Sequence, residues 1–307
     1  MTESGNRLLP DGTDVPFAGI AEALARRNDE RPRAFQSRAL SATIVAIGPD
    51  DLLNEAADAL RRLGGQTAVR AILISVGSAS RPVPRVSGDV VALSGLKPSF
   101  VNNAVAALRL SSLPTIVWWR GGRPDMLTDL ARLADRVVLE GAPLDVWPHA
   151  AGLFEEAAFS DLRWTRLTRW RTLMAHFFDI PEVRDAAQGF KRLRVTGADA
   201  VAASLFADWL AGSLGRAGGI ELEFVRTSRD VFIEEVLFGD QNQELALRLA
   251  GSATCVLTSA AVRGHRSAAR TVTLGDQSLA ALMTEELRVR ARDRAFETAV
   301  RGFLGRS

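Results

Sequence analysis

Short apolar segments alternate with amphipathic segments over the first half of the chain, and this alternation constrains the fold more than any other feature. The segments 42–47, 69–76 and 115–119 are rich in Val, Ile or Trp and have the length of buried strands. Longer segments such as 50–63 and 98–110 repeat apolar side chains every three or four positions, which is typical of helices. Strands and helices in alternation predict β-α-β units and a largely parallel sheet flanked by helices.

The second half has a different pattern. Helical segments at 150–159, 162–178 and 200–214 are followed by several strands with almost no helix between them. The predicted strands lie at 191–195, 220–226, 231–238, 245–249, 254–259 and 271–274. Strands joined by short turns favour antiparallel pairing, so this part is predicted to be an α+β domain with a mainly antiparallel sheet, ending in a helix from 279 to near 303.

We therefore expect an α/β protein with two folded domains. Residues 1–38 are predicted to form a loose tail to about residue 14, a helix over 15–27 and a linker. Residues 39–145 are predicted to form the parallel α/β domain, and residues 146–307 the α+β domain. A length of 307 residues is sufficient for two such cores.

Composition excludes several classes of protein. No apolar run approaches the roughly 18 residues that a membrane span needs, and the first residues do not resemble a secretion signal, so a cytoplasmic location without a membrane partner is expected. The sequence pI is about 9.3, but the net charge is only +2 and Arg is mixed with Asp and Glu along the chain, which argues against a nucleic-acid partner. Cys255 is the single cysteine and is predicted to be an ordinary core residue.

Residues that usually carry catalysis are few. The three histidines, His149, His176 and His265, are far apart in sequence and lack a carboxylate or cysteine at ligand spacing. The sequence contains no H-E-x-x-H, G-x-S-x-G, phosphate-loop or G-x-G-x-x-G motif, and no tyrosine. These features predict a chain with no catalytic residues, no metal site and no cofactor.

Two loops at the ends of predicted parallel strands are candidates for binding an anion, because ligands of α/β sheets bind at the carboxyl ends of strands. Small residues beside arginine suit a sugar phosphate or a nucleotide. The alternative is that these are ordinary turn glycines and solvated arginines. The loop residues are Gly77, Ser78, Ser80 and Arg81 in the first loop, and Gly121, Gly122 and Arg123 in the second.

Two segments combine tryptophan with arginine, the residue types enriched in the centres of protein interfaces. They are 114–122 and 161–173. On a helix, Leu167, Trp170, Met174 and Phe177 would form an apolar stripe, with arginines on another face. The alternative is a core tryptophan beside solvated arginines. The candidate interface residues are Trp119, Arg120, Arg163, Trp164, Arg166 and Arg171.

In this order, the two segments resemble the glucose-6-phosphate dehydrogenase assembly protein family, OpcA. The resemblance is carried by Leu113–Gly121, Leu133–Glu140, Asp161–Arg171 and Phe177–Asp179, and extends from about Leu40 to the C-terminus. It implies a non-catalytic partner that binds glucose-6-phosphate dehydrogenase, favours its active oligomer and supports oxidative pentose phosphate flux.

Redox control, which the resemblance associates with photosynthetic members, is not expected here, because one cysteine cannot form an intramolecular disulfide. The resemblance supplies no site residues, so the interface candidates rest on residue chemistry. The competing hypothesis is a sugar-phosphate- or nucleotide-binding enzyme or sensor that uses the loops 77–81 and 120–123. A sugar-phosphate effector of the partner contact is compatible with both.

Overall fold

The computed structural model describes residues 7–29, 40–63, 68–79, 81–216, 218–240, 242–251, 254–289 and 291–306. The chain divides into two compact units, both discontinuous in sequence. The first consists of Met1–Leu162 and Ser278–Arg292, and the second of Arg163–Gln277 and Asp293–Ser307. The boundary predicted at 145/146 therefore falls inside the first unit.

The first unit contains an eight-stranded sheet. Its strands are β1 Thr13–Asp14, β2 Ala42–Ile47, β3 Val69–Ala79, β4 Arg85–Ser87, β5 Val90–Leu96, β6 Thr115–Trp119, β7 Arg136–Leu139 and β8 Ala158–Asp161. They lie in the order β1-β4-β5-β3-β2-β6-β7-β8. The six strands from β5 to β8 in this order pair in parallel, while β1 and β4 pair antiparallel at one edge. The predicted parallel sheet is confirmed.

Among the residues that the structure describes, six α-helices belong wholly to this unit: α1 Ile20–Asp29, α2 Asp50–Leu63, α3 Pro98–Leu108, α4 Met126–Leu133, α5 Val146–Ala151 and α9 Leu279–Arg288. On α2, the predicted apolar face is buried, including Leu53, Ala56 and Leu60. Leu282 and Met283 of α9 join the same apolar cluster. Each fully buried Leu or Met side chain contributes about 1.5–3 kcal/mol, so α9 is an integral part of this core although it is distant in sequence.

The segment before α1 is not the loose tail that its polar sequence predicts. Leu8 and Leu9 are fully buried, and β1 pairs with β4. The buried guanidinium of Arg85 donates hydrogen bonds to the carbonyls of Leu8, Pro10 and Gly12. Over residues 7–14 the prediction is wrong, because one arginine satisfies three backbone carbonyls of the segment. The predicted linker falls mainly on residues outside the described ranges.

The second unit contains a mainly antiparallel sheet, as predicted. Its strands are β9 Arg192–Gly197, β10 Glu221–Arg226, β11 Ile233–Gly239, β12 Glu244–Leu249, β13 Cys255–Val262, β14 His265–Arg266 and β15 Arg270–Thr273. They lie in the order β10-β9-β11-β12-β13-β14, with β15 also paired to β13, and over the described part of this unit only β9 and β10 pair in parallel. The helices are α6 Leu162–Phe177, which starts at the unit boundary, α7 Pro181–Ala187, α8 Ala200–Ser213 and α10 Arg294–Arg306.

Two predictions of secondary structure are wrong. The helix predicted over 150–159 is instead α5, which ends at Ala151 before Gly152, followed by strand β8. The single C-terminal helix predicted from 279 is two helices, because Asp293 accepts a hydrogen bond from the backbone N–H of Phe296 and starts α10 as an N-cap. Cys255, predicted to be in the core, is half-buried. Within the described ranges no helix is long and apolar enough to cross a membrane.

Candidate functional site

Helix α6 carries the most specific sequence segment, and its apolar stripe is confirmed. Leu167, Trp170, Met174 and Phe177 are buried, as their spacing of three and four residues predicts. This stripe fixes which way the rest of the helix faces. The arginines therefore lie on the other sides of α6, where they contact neighbouring elements of the second unit.

Trp164 lies at the centre of a cluster within the second unit, and only 2% of it is exposed. Its indole Nε1 donates to Oδ2 of Asp293 at 2.7 Å, and its ring packs on Phe296 with centroids 5.6 Å apart. The interpretation of Trp164 as an interface residue is not supported, and the alternative of a core tryptophan holds, because its side chain packs and donates inside the fold. Asp293 and Phe296 were not predicted, since they lie far along the sequence.

Arg171 completes this cluster. Its guanidinium carbon lies 3.5 Å from the centroid of Trp164 and 5.9 Å from that of Trp209, and Nη2 donates to Oγ1 of Thr168 at 3.3 Å. A cation held between two aromatic rings contributes about 1–2 kcal/mol when it is shielded from water. Trp164 and Arg171 are seven residues, or two helical turns, apart, and their contact is a stacking interaction within one helix.

The other arginines of α6 differ in exposure. Arg163 forms an ion pair of 2.8 Å with Asp199, the residue that also caps α8 through the N–H of Ala202. Arg166 is half-buried, with its guanidinium 5.1 Å from the ring centroid of Phe232. Arg169 is exposed, with Nε donating to the carbonyl of Thr273 at 3.1 Å. Arg166 and Arg169 are one turn apart and give α6 a positively charged outer face.

The first candidate loop is not a separate phosphate cradle. Gly77 and Ser78 lie within β3 and are exposed, and Arg81 is exposed just beyond the strand, while Ser80 lies outside the described residues. A Cβ at Gly77 would lie 2.7 Å from the Cα of Gly95 on β5. Glycine at this position is explained by the close approach of two strands, so it needs no ligand.

In the second candidate loop, Gly121 and Gly122 have φ of 152° and 133°, a region that favours glycine. Arg123 forms an exposed ion pair of 2.5 Å with Asp125, and its hydrogen bond lowers the pKa of the Asp125 carboxyl. The loop cation therefore already faces a carboxylate two residues away. Trp119 and Arg120, predicted as partner contacts, are buried in the first unit at 1% and 6% exposure, so the prediction of a surface contact is wrong for both.

A cavity of about 290 Å³ lies at the opposite edge of the first unit's sheet, where the parallel strands begin. Ser41, Pro114 and Asp135 line it from the strand ends, and Leu287 from α9. It includes none of the predicted site residues. Among the residues that the structure describes, no group of three or more His, Cys, Asp or Glu side chains could hold a metal ion.

Asp208 is a buried carboxyl between α8 and α10 of the second unit. It pairs with Arg306 at 2.5 Å, and a Cβ at Gly302 would lie 2.9 Å from its Oδ1. Burial raises the pKa of Asp208 from 3.8 to about 6, and Arg306 only partly opposes this. Glycine at 302 is therefore required for the close packing of α10 on α8.

We expect Asp208→Asn to remove a pH dependence of stability. The pKa of this carboxyl is higher in the folded chain, so the folded state holds the proton that the unfolded state loses, and parent stability falls as pH rises from about 4 to about 6. Relative to the variant, the loss is about 3 kcal/mol, since the pKa rises by about two units and one unit corresponds to about 1.4 kcal/mol. Urea unfolding of both proteins between about pH 4 and pH 6 measures this difference in stability. The control is Asp185→Asn, at an exposed position. If the stability of the parent and of Asp208→Asn changes with pH in the same way, the assignment is contradicted.

Three comparisons bear on identity. Residues 157–300 match the model of the OpcA family that describes the C-terminal domain of a glucose-6-phosphate dehydrogenase subunit. A curated relative from Synechocystis sp., described as an OxPP cycle protein OpcA, is 24% identical over 190 residues, which make up 58% of this chain. The aligned part covers 35% of that relative, so the chain spans about a third of its length.

Solved structures share the fold at low sequence identity. An oxidoreductase from Sinorhizobium meliloti has a TM-score of 0.53 at 10% identity, covering 87% of this chain and 96% of that one. An aldose-aldose oxidoreductase from Caulobacter crescentus also has a TM-score of 0.53, at 12% identity, covering 86% of this chain and 95% of that one. These similarities concern the fold alone. The family model and the curated relative agree, and together they confirm the sequence resemblance to the OpcA family.

Proposed function

We propose that this chain is a non-catalytic partner of glucose-6-phosphate dehydrogenase that acts in the oxidative pentose phosphate cycle. The observation that carries the proposal is the match of residues 157–300 to a domain described as part of a glucose-6-phosphate dehydrogenase subunit. The curated relative is described as a protein of the OxPP cycle, which supports the same pathway.

The charges at the candidate loops favour a binding partner over an enzyme. Arg120 and Arg123 both pair with carboxylates of this chain, and the pair of Arg120 is buried. A phosphate at the end of β6 would have to compete with these carboxylates, so the alternative of a sugar-phosphate-binding enzyme is less well supported. The proposal includes a cytoplasmic location, where the chain would encounter the dehydrogenase.

A binding partner raises activity by preferring one state of the enzyme. If it binds the active oligomer more tightly than the inactive forms, the population shifts by the ratio of the two affinities and by no more. Favouring the active oligomer in this way would increase NADPH supply without any chemistry in this chain. An effector that binds the complex is not needed for this mechanism.

We propose the outer face of α6 as the contact surface, replacing the buried Trp164. Arg166 and Arg169 lie on it one turn apart, and an acidic surface of the dehydrogenase would complement them. Charge reversal tests this surface. Arg169→Glu is expected to weaken binding to the dehydrogenase about tenfold or more, because like charges then face each other across the interface.

The matched control is Arg184→Glu, a reversal at an exposed arginine on α7 of the same unit. Calorimetric titration of each purified variant into the dehydrogenase gives the dissociation constants. The control should bind like the parent. If Arg169→Glu binds the dehydrogenase with the same affinity as the parent, α6 does not contact the enzyme. Whether the two proteins bind at all is decided separately, by the affinity of the parent.

A further inference from the structure

The first unit has the strand order of a dinucleotide-binding sheet. Counted along the chain, its six parallel strands lie in the order third, second, first, fourth, fifth, sixth, so the order reverses between β2 and β6. In open parallel sheets of this order, dinucleotides bind in the crevice at the carboxyl ends of the two strands that flank the reversal. The fold therefore implies a nicotinamide dinucleotide at this crevice, and the residues that line it can be tested for fit.

On the β2 side, the connection to α2 is too short to form a phosphate-binding turn, and the start of α2 is negatively charged. It consists of Gly48 and Pro49 alone, and α2 begins at Asp50. A pyrophosphate needs a glycine-rich turn with free N–H groups at a positively polarised helix start. Pro49 has no N–H, the N–H of Gly48 donates to the carbonyl of Ile74, and Asp50 and Asp51 add two carboxylates. Both acidic groups would repel phosphate at this helix end.

On the β6 side, Arg120 fills the crevice. Its guanidinium Nη2 donates to Glu55 at 3.0 Å and to Glu140 at 2.9 Å, and Nη1 donates to the carbonyl of Leu52. Glu55 and Leu52 belong to α2, whereas Glu140 follows β7. Only 3% of the Arg120 side chain is exposed, so its charge is shared between these partners rather than offered to a ligand.

The two loops also approach each other closely. A Cβ at Gly48 would lie 3.1 Å from the Cβ of Arg120, and one at Gly121 would lie 3.3 Å from the Cδ of Pro49. Both distances are shorter than ordinary van der Waals contact, so neither position has room for a side chain. The two strand ends therefore pack closely at the point where a diphosphate would lie.

We propose that this crevice is a structural junction instead of a cofactor site. Arg120 ties α2 to the ends of β6 and β7, and Asp50 and Asp51 stand where a pyrophosphate would need an electropositive helix end. The chain therefore binds neither NADPH nor NADP⁺ at the carboxyl edge of this sheet. The proposal does not depend on the partnership with the dehydrogenase, since it concerns the isolated chain.

Hydrogen–deuterium exchange of the full chain with NADPH, and separately with NADP⁺, tests the proposal. At about 2 mM dinucleotide we expect unchanged exchange in the segments 48–55 and 119–125, because a ligand that binds only the folded state must slow local opening. An NADPH-dependent dehydrogenase in the same experiment shows that binding would be detected. Protection confined to other segments would also agree with a closed crevice.

Saturable slowing in both crevice segments would overturn the proposal. A second variant leaves Arg120 in place, so its result does not depend on whether the chain folds without Arg120. Asp50→Asn with Asp51→Asn removes two repelling charges but leaves Arg120 in place, so it should still show no protection. If this variant gains protection with NADPH, the crevice is open to the cofactor and the junction does not close it.

Discussion

Trp164→Ala is expected to lower the free energy of unfolding of the second unit by about 4 kcal/mol, because burial of this ring is lost and a cavity remains. The substitution also leaves Asp293 without its indole donor and Arg171 without the ring on which it stacks at 3.5 Å. Urea unfolding followed by circular dichroism measures the loss. Trp164 thus acts by holding α6 against α10, and its effect on a partner would be indirect.

Trp164→Phe separates the parts of this effect. The phenyl ring keeps most of the packing against Phe296 but cannot donate to Asp293, so it should cost about 2 kcal/mol, between parent and alanine. A folded Trp164→Ala that unfolds like the parent yet no longer binds the dehydrogenase would contradict the assignment. That result would restore Trp164 as a direct contact.

Arg120→Met is expected to lower the free energy of unfolding of the first unit by about 3 kcal/mol, because it leaves a partly buried carboxylate without its cation. The group left behind is Glu140, whose side chain is 21% exposed and still accepts a hydrogen bond from the indole Nε1 of Trp118 at 2.8 Å. The carbonyl of Leu52 loses its donor as well.

Glu55→Gln is the matched control for this junction. Glu55 is 60% exposed, and an exposed ion pair contributes about 0–1 kcal/mol, so this variant should unfold close to the parent. Combining Arg120→Met with Glu140→Gln should recover part of the loss, because the unpaired buried charge is gone. A loss below about 1 kcal/mol for Arg120→Met, measured by urea unfolding, would show that the junction is weak.

Local sequence pattern was sufficient where an element depends on its own residues. The strand Ala42–Ile47 was predicted with its observed bounds, because a continuous apolar run is closed by Gly48 and Pro49. The helix Asp50–Leu63 followed from its apolar spacing in the same way. The helix predicted over 150–159 failed because pairing of Ala158–Asp161 with β7 overrides the local apolar pattern.

The candidate site was predictable only in part, because its decisive contacts are distant in sequence. The spacing of Trp164 and Arg171 is two helical turns and places both on one side of a helix, but it does not indicate that Asp293 and Phe296 bury the indole. Arg120 could be recognised as a strand-end arginine, whereas its partner Glu55 lies 65 residues earlier. The sequence also does not indicate that the helix Leu279–Arg288 packs in the first unit, because any amphipathic helix has the same local pattern.

We propose that this chain binds glucose-6-phosphate dehydrogenase and raises its activity without chemistry of its own. The most direct measurement is the activity of the cognate dehydrogenase, titrated with the purified chain, with the mass of the mixture followed by light scattering during gel filtration. We expect co-elution and a saturable rise in activity or fall in KM, with no turnover by the chain alone. Separate elution and unchanged kinetics, with both proteins folded, would contradict it.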